Sequence, residues 1–112
     1  MKLRRWDIVF VRAEENDATG HPGVVLSHED MLDDPRHHRF NVVMGSKKSP
    51  AAVVAPRHVM LNGADGLEFM TLIDCGLVCV VRKTSVLRTA GVVSWERRRE
   101  IQRKVRAYLG LG

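Results

Sequence analysis

The residues best equipped for chemistry are a histidine in Gly20-His21-Pro22-Gly23 and a serine with two lysines in Gly45-Ser46-Lys47-Lys48-Ser49-Pro50. An imidazole titrates near neutral pH and serves as acid or base. A serine hydroxyl donates to or accepts from a phosphate oxygen. Two adjacent ammonium groups supply positive charge. Turn residues surround His21. Pro22 fixes its own φ and biases His21 toward an extended backbone, and Gly20 and Gly23 permit a sharp approach. Val24-Val25-Leu26 follows as a β-branched run of the kind buried on both faces. The imidazole is thereby placed at the mouth of a buried strand.

The elements that must hold these groups are mostly strands. Trp6–Arg12 is rich in β-branched and aromatic residues and reads as the first strand. A polar loop, Ala13–Thr19, precedes the second strand, Gly23–Ser27. Ser27 with Asp30 has the spacing to cap a helical turn around Glu29–Leu32. Phe40–Gly45 is a third strand, Ala51–Ala55 extends a hairpin, and Arg57–Leu61 alternates apolar and polar side chains. Asn62-Gly63-Ala64-Asp65-Gly66 is the strongest turn signal. Leu67–Ile73 is ambiguous between strand and helical turn. Gly76–Arg82 is a buried strand, and Thr84–Val86 a short one.

One helix closes the chain. Ser94 is its expected N-cap and Trp95–Leu109 its span. Trp95, Ile101, Val105, Tyr108 and Leu109 recur at spacings that place them on one buried face. Glu100 and Lys104 form an (i, i+4) pair, and Gly110 stops the helix. Short strands in succession with a single terminal helix predict a mainly β fold. The expectation is a small SH3-like antiparallel barrel with a C-terminal helix, one domain over residues 1–112.

Composition narrows the partners. The 112 residues carry a net charge of +5 and are 45% hydrophobic. A chain this long buries about two-thirds of its unfolded surface, so it folds without disulfide or metal. Basic balance points to an anionic partner, nucleic acid first. Arg5, Arg12 and Lys83 extend a phosphate track if their strand ends share a face. Trp6 either stacks a base or belongs to the core. Cys75 and Cys79, four apart on a strand, share a face beyond disulfide reach and read as small buried hydrophobes in a reducing compartment. No neighbour activates Cys75. His28, His37 and His38 with Asp33 and Asp34 match no compact tetrahedral template, so no metal or other cofactor is expected. Six basic residues (Arg97, Arg98, Arg99, Arg103, Lys104, Arg106) decorate the helix. They form a solvated outer face or meet acidic protein or phosphate. No leader or membrane span is read, which predicts a cytoplasmic protein.

The order of features resembles the PemK/MazF family of bacterial toxins from about Arg5 onward. Trp6-Asp7-Ile8-Val9-Phe10-Val11 is similar to the family's opening Gly-Asp-Ile-Val-Trp-Val strand. Gly20-His21-Pro22-Gly23-Val24-Val25-Leu26-Ser27 resembles its Arg-Pro-Ala-Val-Val-Leu-Ser signature. Asn41–Ser46 is similar to the strand leading to its Pro/Ile-Thr motif. Gly76-Leu77-Val78 through Lys83-Thr84-Ser85-Val86 resembles its Gly-Val…Gln-x-Arg/Lys-Ser-Ile segment. The resemblance implies a metal-independent endoribonuclease acting on single-stranded RNA, a homodimer, and neutralisation by an antitoxin. Where the family carries a catalytic Arg and Thr, this chain carries His21 and Ser46, and Ala18 and Thr19 stand in place of the Glu-Gln that often precedes the signature.

Metal-free RNA cleavage needs a base for the 2′-hydroxyl, an acid for the leaving oxygen and positive charge on the phosphorane. Arginine stabilises charge but is a poor proton carrier, whereas histidine carries protons, so the exchange alters the mechanism without abolishing it. The expected site is therefore His21 and Ser46 as catalytic groups, with Lys47, Lys48, Arg5, Arg12 and Lys83 binding RNA. The competing expectation is a module that keeps the fold and binds RNA or an antitoxin-type protein without cutting. A gyrase-directed toxin on the same barrel ranks third.

Overall fold

The computed structural model describes residues 2–111. Six strands form one antiparallel sheet: β1 (Asp7–Val11), β2 (His21–Val25), β3 (Arg39–Lys47), β4 (His58–Leu61), β5 (Thr71–Arg82) and β6 (Val86–Val92). Their order is β4-β5-β3-β2-β1-β6, and the sheet curls into a half-barrel. A five-residue helix, α1 (Glu29–Asp33), links β2 to β3. A fourteen-residue helix, α2 (Trp95–Tyr108), ends the fold. The architecture is mainly β with one long C-terminal helix, as the strand succession requires.

The paired valines explain why the strands read as continuous apolar runs. Ile8, Val24 and Val43 face one cluster with Val59, Leu61, Ile73, Cys75 and Ile101. Their chain neighbours Val9, Val25 and Val42 face a second cluster with Leu3, Leu32 and Phe40. Each central strand is thus covered on both sides, by α2 and the 62–67 turn on one and by α1 and the N-terminal segment on the other. Trp6 is a core residue, 9% exposed, so it is closed to base stacking.

Several elements extend beyond their sequence-predicted bounds. β2 begins at His21, paired with Val11, and β3 runs on through Ser46 and Lys47, paired with Leu72 and Thr71. Of the ambiguous Leu67–Ile73 segment, Thr71–Ile73 joins Gly76–Arg82 in one twelve-residue strand, and residues 67–70 form none. Ala51–Ala55 forms no strand. Its valines stand in solvent, Val53 being 82% exposed, and nothing packs them into a ladder. The short strand expected at Thr84–Val86 is displaced. Lys83–Ser85 is a 3-10 turn, and β6 starts at Val86. β6 lies at an edge and none of its residues is buried, so no apolar alternation announces it.

Caps differ as well. The α1 turn is capped by His28, whose Nδ1 accepts from the Asp30 amide at 3.1 Å. Ser27 instead accepts from the Asn41 amide at 2.8 Å. On α2 the expected apolar face narrows to buried Ile101, with Val105 partly covered. Trp95 is 74% exposed, and Tyr108 and Leu109 are also exposed. The sheet offers α2 only the width of β4 and the adjoining part of β5. At the far end the Leu111 amide returns to the Arg106 carbonyl at 2.8 Å, closing the helix around Gly110.

β4 and β6 are the two edges and are not paired with each other. The gap between them is filled by the 3-10 turn Gly63–Asp65. A Cβ on Gly91 of β6 would collide with the Asp65 carbonyl and crowd Gly66, so only glycine permits this approach. The buried Asp65 carboxylate clamps the turn, accepting from the Asn62 amide at 3.1 Å and from the Ser94 amide at 2.9 Å. It caps two elements at once. Asp65→Ala is expected to cost on the order of 3 kcal/mol, because two amides lose their acceptor. A thermal melt checks this, and an unchanged Tm would remove Asp65 from the fold's essential contacts.

Candidate functional site

A groove of about 450 Å³ opens at one end of the sheet. Phe10 comes to it from β1, Gly20 to Pro22 from the start of β2, and Ser46 and Lys47 from the end of β3. Residues 66–69 come from the approach to β5, Thr71 from its first position, and Arg88 to Ala90 from β6. His21, Ser46 and Lys47, far apart in sequence, therefore line one concavity. Antiparallel pairing does this: the β2–β3 register leaves Gly23 opposite Met44, so the outward ends of both strands finish together.

His21 is accessible, its side chain 56% exposed, with Nε2 3.7 Å from Oδ2 of Asp17. That carboxylate is itself fixed. Asp17 accepts from the Ala13 amide at 3.0 Å and the Gly20 amide at 2.9 Å. These two amides hold its carboxyl below the ordinary range, so it remains a carboxylate beside the imidazole. Gly20 makes the loop possible: its φ is +74°, and a Cβ there would press on the Val11 backbone.

Two cations are set against aromatic walls. The Arg88 guanidinium carbon lies 3.9 Å from the centre of the Phe10 ring. Register explains the contact, since Phe10 faces Arg88 across β1–β6 and Pro22 across β1–β2. Lys47 Nζ lies 3.9 Å from the centre of the Phe69 ring. Such contacts fix the direction of a charge without neutralising it, as a carboxylate partner would.

The other expected RNA ligands do not join this groove. Lys48 turns back to the Ser49 carbonyl at 3.3 Å. Arg5 leans on the Trp6 ring, 5.8 Å from its centre. Arg12 borders a separate concavity with Met44, Cys79 and Val80 to Arg82. Lys83 directs its ammonium at the carbonyls of Met31, Leu32 and Asp34, at 3.2, 2.9 and 3.1 Å. Those carbonyls end α1, so Lys83 is a helix cap placed away from the groove. Cys75 is buried and its thiol is pushed up to about 11 by desolvation, which keeps it protonated and inert.

Sequence reasoning passed over Arg88, Phe10, Phe69 and Asp17. Asp17 carried a weak signal, being an acid four residues before His21. Arg88 carried none, because the strand that presents it was not legible.

No family model and no curated protein matches the sequence. Solved structures do match its fold. An endoribonuclease from a mycobacterial species superposes with a TM-score of 0.76 at 13% identity, over 98% of this chain and 93% of that one. The Mycobacterium tuberculosis toxin MazF-mt6 gives 0.75 at 12% identity, over 95% and 98%. MazF from Deinococcus radiodurans gives 0.74 at 13% identity, over 98% of each chain. The fold defined above is therefore the MazF toxin fold, spanned nearly end to end. No helix among the described residues is long and apolar enough to cross a membrane.

Proposed function

We propose that the protein is a PemK/MazF-type toxin, an endoribonuclease that cleaves single-stranded RNA in the cytoplasm without a metal ion. The observation that carries this reading is the meeting of His21, Ser46, Lys47 and Arg88 in one groove on this fold. His21, steadied by Asp17, takes the proton of a ribose 2′-hydroxyl. The 2′-oxygen attacks phosphorus and the P–O5′ bond breaks. The products are a 2′,3′-cyclic phosphate and a 5′-hydroxyl, the 5′-oxygen taking its proton from water in the open groove. Arg88 and Lys47 oppose the charge that builds on the phosphorane, and the Ser46 hydroxyl donates to a non-bridging oxygen. Arg88 thus supplies the fixed charge that the exchange of arginine for His21 removes from the signature.

Two partners follow from the same reading. Solved complexes of this fold include MazE–MazF of Deinococcus radiodurans and an endoribonuclease with its cognate antitoxin from a mycobacterial species. An antitoxin partner is inferred here by analogy. A homodimer is inferred because β4 covers β5 only from Thr71 to Asp74. Beyond that the β4-side edge of β5 has no strand partner among the described residues, and Leu77 and Val80 there are 49% and 64% exposed. An apolar open edge of this kind calls for cover.

The test is incubation of the purified protein with a mixed single-stranded RNA pool in EDTA. Cleavage leaving cyclic phosphate and 5′-hydroxyl ends is expected. Intact RNA, bound with a steep salt dependence, would instead establish the non-cutting binding module.

A further inference from the structure

The basic residues of α2 fall into two sets. Arg97 and Lys104 are both held by Glu100, at 3.2 and 3.3 Å, and Lys104 also donates to the His58 carbonyl at 2.7 Å. Arg98 donates to the Val93 carbonyl at 2.7 Å. These three are tied down. Arg99, Arg103 and Arg106 are exposed and make no ion pair among the described residues. With Gln102 and Ala107 they line a shallow concavity of about 470 Å³ on the outer side of the helix.

Trp95 continues that stripe. Positions 95, 99, 103 and 106 recur about once per turn, and at 1.5 Å per residue they span about 16 Å. Trp95 is 74% exposed. Its ring is steadied by Arg98, whose guanidinium carbon lies 4.5 Å from the ring centre while the Nε is anchored on the main chain. A large aromatic ring is thereby kept outside the core in a set orientation. The helix has two carboxylates, Glu96 in the first turn and Glu100, which is engaged with Arg97 and Lys104. Like charges one turn apart weaken a helix by a few tenths of a kcal/mol per pair, so the pattern is a cost unless a ligand uses it.

We propose that the outer face of α2 is a second binding track for single-stranded RNA. Arg99, Arg103 and Arg106 contact successive phosphates and Trp95 stacks a base. The proposal extends the RNA-cleaving reading of the groove, giving long substrates an additional hold outside it. Single-stranded nucleic acid is favoured over an acidic polypeptide by the lining. The concavity's lining includes no large apolar side chain to seat a peptide anchor, while a flat exposed ring beside an arginine is the usual stacking platform.

The experiment uses the full chain and a labelled 2′-O-methyl oligouridylate, which lacks the nucleophile and cannot be cut by the proposed reaction. Binding is therefore read whether or not the protein proves to be a nuclease. The triple variant R99Q/R103Q/R106Q is expected to bind at least tenfold more weakly. The slope of log K against log salt should fall by about 2, at about 0.7 per phosphate contact. Trp95→Ala should weaken binding by about five- to a hundredfold. In the parent, the oligomer should quench tryptophan fluorescence, and Trp95→Phe should abolish that quenching, because Trp6 is buried. Cleavage of a dinucleotide too short to reach α2 should be the same in parent and triple variant. An unchanged affinity and salt slope in the triple variant overturns the proposal. So does quenching by polyglutamate at lower concentration than by the oligouridylate, which would assign the face to an acidic protein.

Discussion

His21→Ala is expected to cut single-stranded RNA in EDTA about 10²- to 10⁴-fold more slowly than the parent, the usual contribution of a positioned proton carrier. The fold should not notice the change. The side chain is more than half exposed and its nearest carboxylate is that of Asp17, itself held by two amides. An equal Tm with lost cleavage would isolate the chemistry from the scaffold. His21→Gln tests the role further, since it preserves a hydrogen-bonding side chain without a titrating group and should be as slow as alanine. A His21→Ala protein that cuts like its parent would remove the imidazole from the mechanism and leave the groove's cations to explain any activity.

Arg88→Gln is expected to have the next largest effect, a loss of about 10²- to 10³-fold in kcat, the scale seen when one donor to a developing oxyanion is removed. The argument is geometric. Arg88 reaches the groove from β6 and rests on the Phe10 ring, and no carboxylate pairs with it among the described residues. Its charge is therefore not tied into an ion pair where the phosphorane would form, although Glu68 shares the groove. Arg88→Lys should recover part of the rate, because charge is restored without the bidentate fork. If Arg88→Gln raises KM and leaves kcat alone, the guanidinium binds ground-state phosphate only, and the transition-state role assigned to it fails.

The sequence exposed what burial imposes and hid what edges carry. β1 and β2 were legible because both faces of each are covered, so Ile8-Val9 and Val24-Val25 appear as adjacent apolar pairs. α2 was legible in extent, but its inner face was overestimated. Trp95 and Tyr108 fit the helical period and still lie outside, since periodicity does not report how much sheet is available to cover them. β6 was displaced because an edge strand containing Arg88, Thr89 and Gly91 need not alternate. That single omission concealed the groove's second cation. Lys83 shows the converse limit: its place after a strand does not reveal the three helix carbonyls around its ammonium. His21 and Ser46 are placed together by resemblance and Lys47 by following Ser46, and the antiparallel strand ends supply the physical reason for their meeting.

The half-barrel ends without a closing pair of strands. Its last side is a plug resting on Gly91 rather than a ladder of main-chain bonds, and the same stretch continues into Leu67, Glu68 and Phe69 along the groove. Apart from Asp65 and the buried Leu67, a wall seated in this way can change in length and sequence without unzipping any strand. The breadth of the cleft is therefore set by a segment whose length strand pairing does not fix.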